Sequence, residues 1–308
     1  MKNLIKIKGD ASFREFYRKK NKDFNSIVVY SKREKVKNLL IYDSINKILN
    51  KNKVLAPRLY LENYRNNYLE IQDFGNDTVF KIIRKNKNKK LFYFNKIIKL
   101  LNQIQSIKDR KVKNFKKNIY LIPEYKKKIL IEEANLFCKW YVKKNKKKFT
   151  RKFNKIVKNL TLNLKLKNNF FVHRDFHVSN LMVVNKKLGI IDSQDALIGN
   201  KAYDLASLID DVRFKTSTSF KKRIYNLYVD NQKGLNKYKF KNDFEILSIL
   251  RNLKIIGIFT RLAIRDQKKK YLKLIPYTWS LINLRIDENL IFADLKELLK
   301  KNFKGKIK

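Results

Sequence analysis

The stretch from Phe170 to Asp195, FFVHRDFHVSNLMVVNKKLGIIDSQD, sets two carboxylates and an amide in a fixed order. The apolar run Phe170 to Val172 leads into His173-Arg174-Asp175, and Asn180 follows before the chain turns back on itself. Leu181 to Val184 and Leu188 to Ile191 are short, β-branched-rich runs divided by Asn185-Lys186-Lys187, which predicts two paired strands joined by a polar turn. Asp192 stands at the end of the second run. A hairpin brings that end back to the level where its first strand began, so Asp192 is expected beside Asn180 and Asp175, three oxygen-bearing side chains around one small space.

Phosphoryl transfer requires such a space. The protein must orient a hydroxyl nucleophile, hold one or two Mg²⁺ ions on the nucleotide phosphates and offer positive charge to the transferring group. Mg²⁺ takes hard oxygen ligands and keeps several waters, so one carboxylate and one carboxamide suffice. The reading gives Asp175 the acceptor hydroxyl, whose proton it accepts or whose direction it sets, and gives Asn180 and Asp192 the metal. His-Arg-Asp, four residues, Asn, then strand-turn-strand and Asp is the grammar of kinase catalytic and metal loops. His173 and His177 also have a spacing that suits zinc, but zinc asks for three or four ligands and Cys138 is the one other soft ligand in the chain. His173 is read instead as structural support for the loop.

The phrase HRDFHVSNLM, followed by GIIDSQDALIGNKAYDLASL, resembles the aminoglycoside-phosphotransferase superfamily. Within it the chain is most similar to the bacterial anomeric sugar kinases that use ATP to phosphorylate N-acetylmuramate and N-acetylglucosamine at the C1 hydroxyl. Gly9-Asp10-Ala11-Ser12-Phe13-Arg14 resembles that family's nucleotide-loop motif, and Leu136-Phe137 with Trp140-Tyr141 its central motif. Arg251 to Leu262 with Arg265-Asp266 resembles its C-terminal signature. Ser193 stands where the family usually has an aromatic, Ser179 where Arg is common, and Gln267 where Gly follows the Arg-Asp pair. None of these departures removes a proton-transfer or metal group, so they bear on substrate preference.

The resemblance implies an α+β, two-lobed protein-kinase-like fold. A small antiparallel-sheet lobe is expected over residues 1–75, with a hinge at about 69–75. A mainly helical lobe, 76–308, would carry the catalytic loop, metal loop and acceptor site. It further implies ATP and Mg²⁺ as cofactors, Gly9, Asp10, Ala11 and Ser12 as a cover over the phosphates, and the backbone of Gln72, Asp73 and Phe74 at the adenine edge. Asp204 is expected to brace the catalytic loop.

Kinases place a Lys on the third strand to hold the α and β phosphates. The centre of that strand here, Val28-Val29-Tyr30, has none. Lys32, Arg14 and Arg18 are the candidate substitutes. Further along, Arg251, Lys254, Arg261 and Arg265 fall within one arc of a helix whose remaining surface is apolar, so their charge must meet acids or a cleft. Two readings follow: pairing with Asp195, Asp204, Asp210 or Asp211 as scaffold, or recognition of an acceptor's hydroxyls or carboxylate. Asp195 is a candidate for a second metal, a sugar hydroxyl or a turn-stabilising role.

At 308 residues with 44% hydrophobic content, the chain is long enough for one large or two modest cores. Its net charge of +47 admits a polyanion partner, since clustered Lys gains affinity for phosphate backbones by counterion release. Yet Lys is spread along the whole chain beside abundant Asn, Ile, Phe and Tyr, the residue usage of an A+T-rich coding sequence. The run Lys143 to Lys148 also lacks the interleaved aromatics of a stacking tract. A single Cys138 excludes an internal disulfide. Lys6, Lys8 and Asp10 interrupt any secretory segment, and no run of about 20 apolar residues appears. The expectation is a cytoplasmic, monomeric small-molecule kinase without a membrane or specific nucleic-acid partner. Kinases of aminoglycosides, choline-like alcohols or homoserine share the loop motif and are the nearer alternatives. The rival from another class is a basic nucleic-acid-binding protein on a dead kinase fold.

Overall fold

Alternating apolar and polar positions at the start of the chain build an antiparallel sheet. The computed structural model describes residues 4–7, 14–20, 24–287 and 289–307. Strands β1 (Leu4–Ile7), β2 (Glu15–Lys20), β3 (Asn25–Tyr30), β4 (Leu59–Asn63) and β5 (Tyr68–Gln72) lie in the order β1-β2-β3-β5-β4. The cover loop expected at Gly9, Asp10, Ala11 and Ser12 lies outside the described residues. The register pairs Ile27 with Ile71 and Val29 with Leu69. One face thereby becomes apolar, and helix α1 (Lys37–Lys51) covers it with Leu39 and Tyr42. Fully burying a side chain such as Val29, Leu39 or Leu69 contributes about 1.5–3 kcal/mol, which fixes this register against slippage.

The chain divides into two compact units: residues 1–123 with 170–198, and 124–169 with 199–308. The first does not stop at residue 75, where the sheet-rich lobe was expected to end. It also includes α2 (Val79–Lys85), α3 (Lys90–Gln105), the short hairpin of β6 (Lys111–Lys113) and β7 (Ile119–Leu121), and the stretch quoted above. That stretch enters through β8 (Asn168–Val172), forms the hairpin of β9 (Leu181–Val184) and β10 (Lys187–Ile190), and leaves through β11 (Leu197–Asn200). Backbone bonds explain the merger. Ile190 N–H donates to the Leu55 carbonyl at 2.8 Å and Val183 N–H to the Asp77 carbonyl at 2.8 Å, tying the hairpin to both sides of the expected hinge. The hairpin turn is one residue shorter than its polar run. Asn185 and Lys186 hold φ of +47° and +64°, as a two-residue primed turn requires, and Lys187 already pairs with Val184.

The second unit is helical: α4 (Lys127–Ala134), α5 (Lys146–Leu162), α6 (Ala202–Ile209), α7 (Thr218–Asp230), α8 (Lys237–Ile264), α9 (Ile275–Ile286) and α10 (Ala293–Asn302). Asn236 caps α8 by accepting the Lys239 N–H, and the helix then runs 28 residues through the middle of the core. Between α4 and α5 a π-turn, Phe137–Tyr141, presses against it. A Cβ on Gly257 of α8 would lie 2.3 Å from the Leu136 carbonyl carbon and 2.6 Å from the Phe137 nitrogen, both backbone atoms that cannot rotate away. Gly257→Ala gains about 1 kcal/mol of helix propensity but must separate two backbones. A net loss of about 2 kcal/mol is expected, read as a lower urea midpoint. Gln267, just past this helix, holds φ +53°, the left-handed conformation that glycine, the family's residue there, adopts freely.

A buried charge cluster joins α6, α7, α8 and α9. Asp210, at 1% exposure, accepts from Ser248 Oγ at 2.6 Å and from Arg285 at 3.2 Å, with Lys221 Nζ also 3.2 Å away. Burial pushes its carboxyl up, but Arg285 and Lys221 outweigh that and hold it below the usual carboxylate range. The stabilisation is therefore present above the unfolded carboxyl's pKa and is lost as pH falls through the depressed folded value. Asp210→Ala strands two buried cations, and we expect about 3–5 kcal/mol of destabilisation by chemical denaturation.

Candidate active site

The loop after β8 is anchored by Phe171 and Val172, both with no exposed surface, and by His173, which is fully buried. Burial lowers the proton affinity of His173 despite the pull of Asp175 and Asp192. Past it the chain closes on itself. His177 N–H donates to the Asp175 carbonyl at 3.1 Å, Asn180 N–H to the His177 carbonyl at 2.9 Å, and Asn180 Nδ2 to the Asp175 carbonyl at 3.0 Å. Ile191 N–H then donates to the Asn180 carbonyl at 3.0 Å, one rung beyond the Leu181–Ile190 pair. That rung sets Asp192 beside the start of the hairpin, so the structure brings Asp175, Asn180 and Asp192 onto one end of it.

Two residues here hold strained backbone. Arg174 has φ +74° and Asp192 φ +62°, conformations that cost a non-glycine residue on the order of 1 kcal/mol or more. Arg174 immediately precedes the Asp175 carboxylate, and Asp192 carries the other one. The donor set suits a hard cation. Because the Asn180 amide nitrogen is committed to Asp175, its oxygen is the face left for a ligand, and the Asp192 side chain remains 39% exposed.

The three candidate cations separate cleanly. Arg14, whose side chain is 3% exposed, donates from Nη2 to Asp192 Oδ1 and from Nη1 to Gln194 Oε1, both at 2.7 Å. Arg18 instead holds the stretch after β5, donating from Nε to Asp73 Oδ2 at 2.5 Å, from Nη1 to Asn76 Oδ1 at 2.9 Å and from Nη2 to the Gly75 carbonyl at 3.1 Å. Lys32 is exposed. The Phe74 ring lies against β10, where a Cβ on Gly189 would come within 2.8 Å of it. Gln72 keeps its Oε1 enclosed without a hydrogen-bond partner among the described residues.

Sequence reasoning missed the support behind Asp192. Ser193 Oγ donates to Asn46 Oδ1 at 2.6 Å, and Asn46 shares the buried face of α1 with Tyr42, one turn before it. Burial pushes the Tyr42 hydroxyl up to about 12, so it stays protonated beneath the Arg14 guanidinium, 5.4 Å away. Gln194 passes the chain of bonds on to Asp195, from Nε2 to Oδ2 at 2.8 Å. Asp195 is otherwise half exposed, with Arg174 Nη1 4.0 Å away. The signal available in sequence was Ser193 itself: a hydroxyl in place of an aromatic asks for a polar neighbour, and Asn46 supplies it.

In the second unit Asp204 lies fully buried in the first turn of α6. Among the described residues no ion pair joins Arg251, Arg261 or Arg265 to Asp195, Asp210 or Asp211, three of the four aspartates of the scaffold reading. Lys254 pairs with Glu133 at 2.9 Å, Arg265 with its neighbour Asp266 at 2.7 Å, and Asp210 is taken by Arg285 and Lys221. Among the described residues, Arg261 Nε and Arg251 Nη1 are enclosed without a hydrogen-bond partner.

A model of the Phosphotransferase enzyme family (APH) matches residues 3–238 of the chain. The chain is 27% identical over 281 residues to an N-acetylmuramate/N-acetylglucosamine kinase of Neisseria meningitidis serogroup B, covering 87% of this chain and 80% of that one. It is 26% identical over 307 residues to the kinase of the same name from Pseudomonas aeruginosa, covering 96% and 87%. Among solved structures, the amicoumacin kinase hAmiN, captured with AMP-PNP, Ca²⁺ and Ami, superposes with a TM-score of 0.65 at 12% identity, covering 95% of this chain and 92% of that one.

Proposed function

The chain belongs to the phosphotransferase enzyme family, with a protein-kinase-like α+β fold, and on that premise we propose that it transfers the terminal phosphoryl group of ATP to an amino sugar. The proposed acceptor atom is the anomeric C1 hydroxyl of N-acetylmuramate or N-acetylglucosamine, the two sugars for which the curated relatives are named. The reaction serves the reuse of cell-wall sugars, takes place in the cytoplasm and needs no membrane or nucleic-acid partner; a monomer suffices. The observation that carries this reading is the Ile191–Asn180 rung, which gathers Asp175, Asn180 and Asp192 at one end of the hairpin.

In this reading Asp175 accepts the proton of the sugar hydroxyl as the new P–O bond forms, which keeps the nucleophile from developing full positive charge. Asn180 and Asp192 hold Mg²⁺ through a carboxamide and a carboxylate oxygen. When bound with ATP, the ion supplies neutralisation of the phosphate oxygens. Arg14 takes the place of the missing third-strand Lys. It is the one of the three candidates that reaches Asp192, and it leads directly from Gly9, Asp10, Ala11 and Ser12, the proposed phosphate cover. Arg18 fixes Asp73 and so shapes the Gln72 to Phe74 backbone proposed for the adenine edge. His173 and Asp204 are buried supports. Asp195, Arg251, Lys254, Arg261 and Arg265 are the proposed acceptor-facing set.

The test is release of ADP from ATP and Mg²⁺ in the presence of N-acetylmuramate, N-acetylglucosamine, an aminoglycoside, choline and homoserine, each in turn. Stimulation by the two N-acetylated sugars alone is the expected result. Stimulation by choline, homoserine or the aminoglycoside alone would move the activity to another branch of the family.

A further inference from the structure

The end of the π-turn, the end of α8, the stretch leading into α9 and the end of α10 enclose a cleft of about 450 Å³, a size typical of small-ligand sites. Its inner wall is aromatic. Tyr141 and Phe303 are partly buried with ring centroids 5.5 Å apart, and both pack on the buried Trp279. Towards solvent Ile264 and Leu272 remain 54% and 43% exposed, two large apolar side chains that the core does not take in. Lys143 and Lys144 line the same cleft, both exposed and, among the described residues, without a hydrogen bond or an ion pair. No acid stands among the described residues that line it.

The neutral polar groups of the cleft are already committed. Thr260 Oγ1 donates to the Ile256 carbonyl and Asn302 Nδ2 to the Leu298 carbonyl, both at 2.8 Å and both within their own helices. The Tyr141 hydroxyl accepts from Trp279 Nε1 at 3.2 Å. A sugar or a nucleotide would set many polar groups against aromatic and aliphatic walls, which is costly, whereas an alkyl chain would not. The two lysines add charge without the fork geometry of an arginine, so they select for a negative headgroup and not for its shape. Because the apolar residues line a concavity, a single soluble molecule fits them better than a lipid surface does.

We infer that this cleft binds an apolar anion, an alkyl chain ending in a carboxylate or a similar small acid, with the chain against Tyr141, Phe303, Ile264 and Leu272 and the charge between Lys143 and Lys144. The occupant ties together four segments that are distant in sequence, so binding also stabilises the helical unit by mass action.

Calorimetric titration of octanoate, 1-octanol and acetate into the full chain tests this. Octanoate is expected to bind at one site per chain and to raise the thermal midpoint, about tenfold more tightly than 1-octanol, as two solvated ion pairs allow. Acetate should give no heat. In Lys143→Gln/Lys144→Gln the ratio of octanoate to 1-octanol should fall to about one, and Leu272→Asp should lose both ligands. Lys147→Gln/Lys148→Gln removes two exposed lysines of the same run that do not line the cleft, and should leave octanoate binding unchanged. The inference is overturned if the wild type does not bind octanoate, if its affinity survives in Lys143→Gln/Lys144→Gln, or if the control pair weakens it equally, which would make bulk charge the cause. It is also overturned if Leu272→Asp dissolves a wild-type dimer or abolishes co-sedimentation with phosphatidylglycerol vesicles, since the cleft would then be covered by a second copy or a membrane. Binding is read without ATP, so its failure leaves the proposed function untouched.

Discussion

Asp175→Asn is expected to lower turnover by about 100-fold or more while leaving the fold intact. The amide keeps the size of the side chain but cannot take a proton. The loop itself is held by backbone bonds through the Asp175 carbonyl, from His177 N–H and Asn180 Nδ2, which the substitution does not touch. Loss of rate with an unchanged melting curve and unchanged affinity for nucleotide would locate the defect in the chemical step. Wild-type turnover by Asp175→Asn would remove this residue from proton transfer.

Asp192→Asn should abolish Mg²⁺-dependent turnover. Here too the geometry survives: an amide oxygen can still accept the 2.7 Å bond from Arg14, and the brace from Ser193 to Asn46 is unaffected. What disappears is the negative charge that a divalent ion needs, since a carboxamide pair without a carboxylate is a poor site for a strongly hydrated cation. The measurement is nucleotide affinity with and without Mg²⁺. The wild type should bind more tightly in its presence, and the variant should bind equally in both conditions. A variant that still responded to Mg²⁺ would exclude Asp192 as a ligand.

Much of the site was legible because its residues are close in sequence. Asp175, Asn180 and Asp192 sit on one loop and one hairpin, and a period-two run with a polar turn already determines where the second strand returns. The resemblance also carried information about contacts. Its four blocks meet in pairs: Arg14 of the first touches Asp192 of the loop block, and Gly257 of the last lies against Leu136 and Phe137 of the central motif.

The rest depended on distant pairings. Nothing local to Arg14 or Arg18 says which of them reaches a residue 178 positions away and which reaches one 55 away. The polar support from Tyr42 and Asn46 was hidden because both lie on α1, far in sequence from the loop they brace. The partner of Lys254 on α8 depended on α4, which brings Glu133 to it. The compact unit extending past residue 75 follows from two backbone bonds that no periodicity encodes.

The most direct measurement is phosphorus NMR of the product formed from ATP, Mg²⁺ and N-acetylmuramate. The account expects a single phosphate ester whose phosphorus couples to the anomeric proton. A phosphate attached to any other carbon, or no sugar phosphate at all, would contradict it.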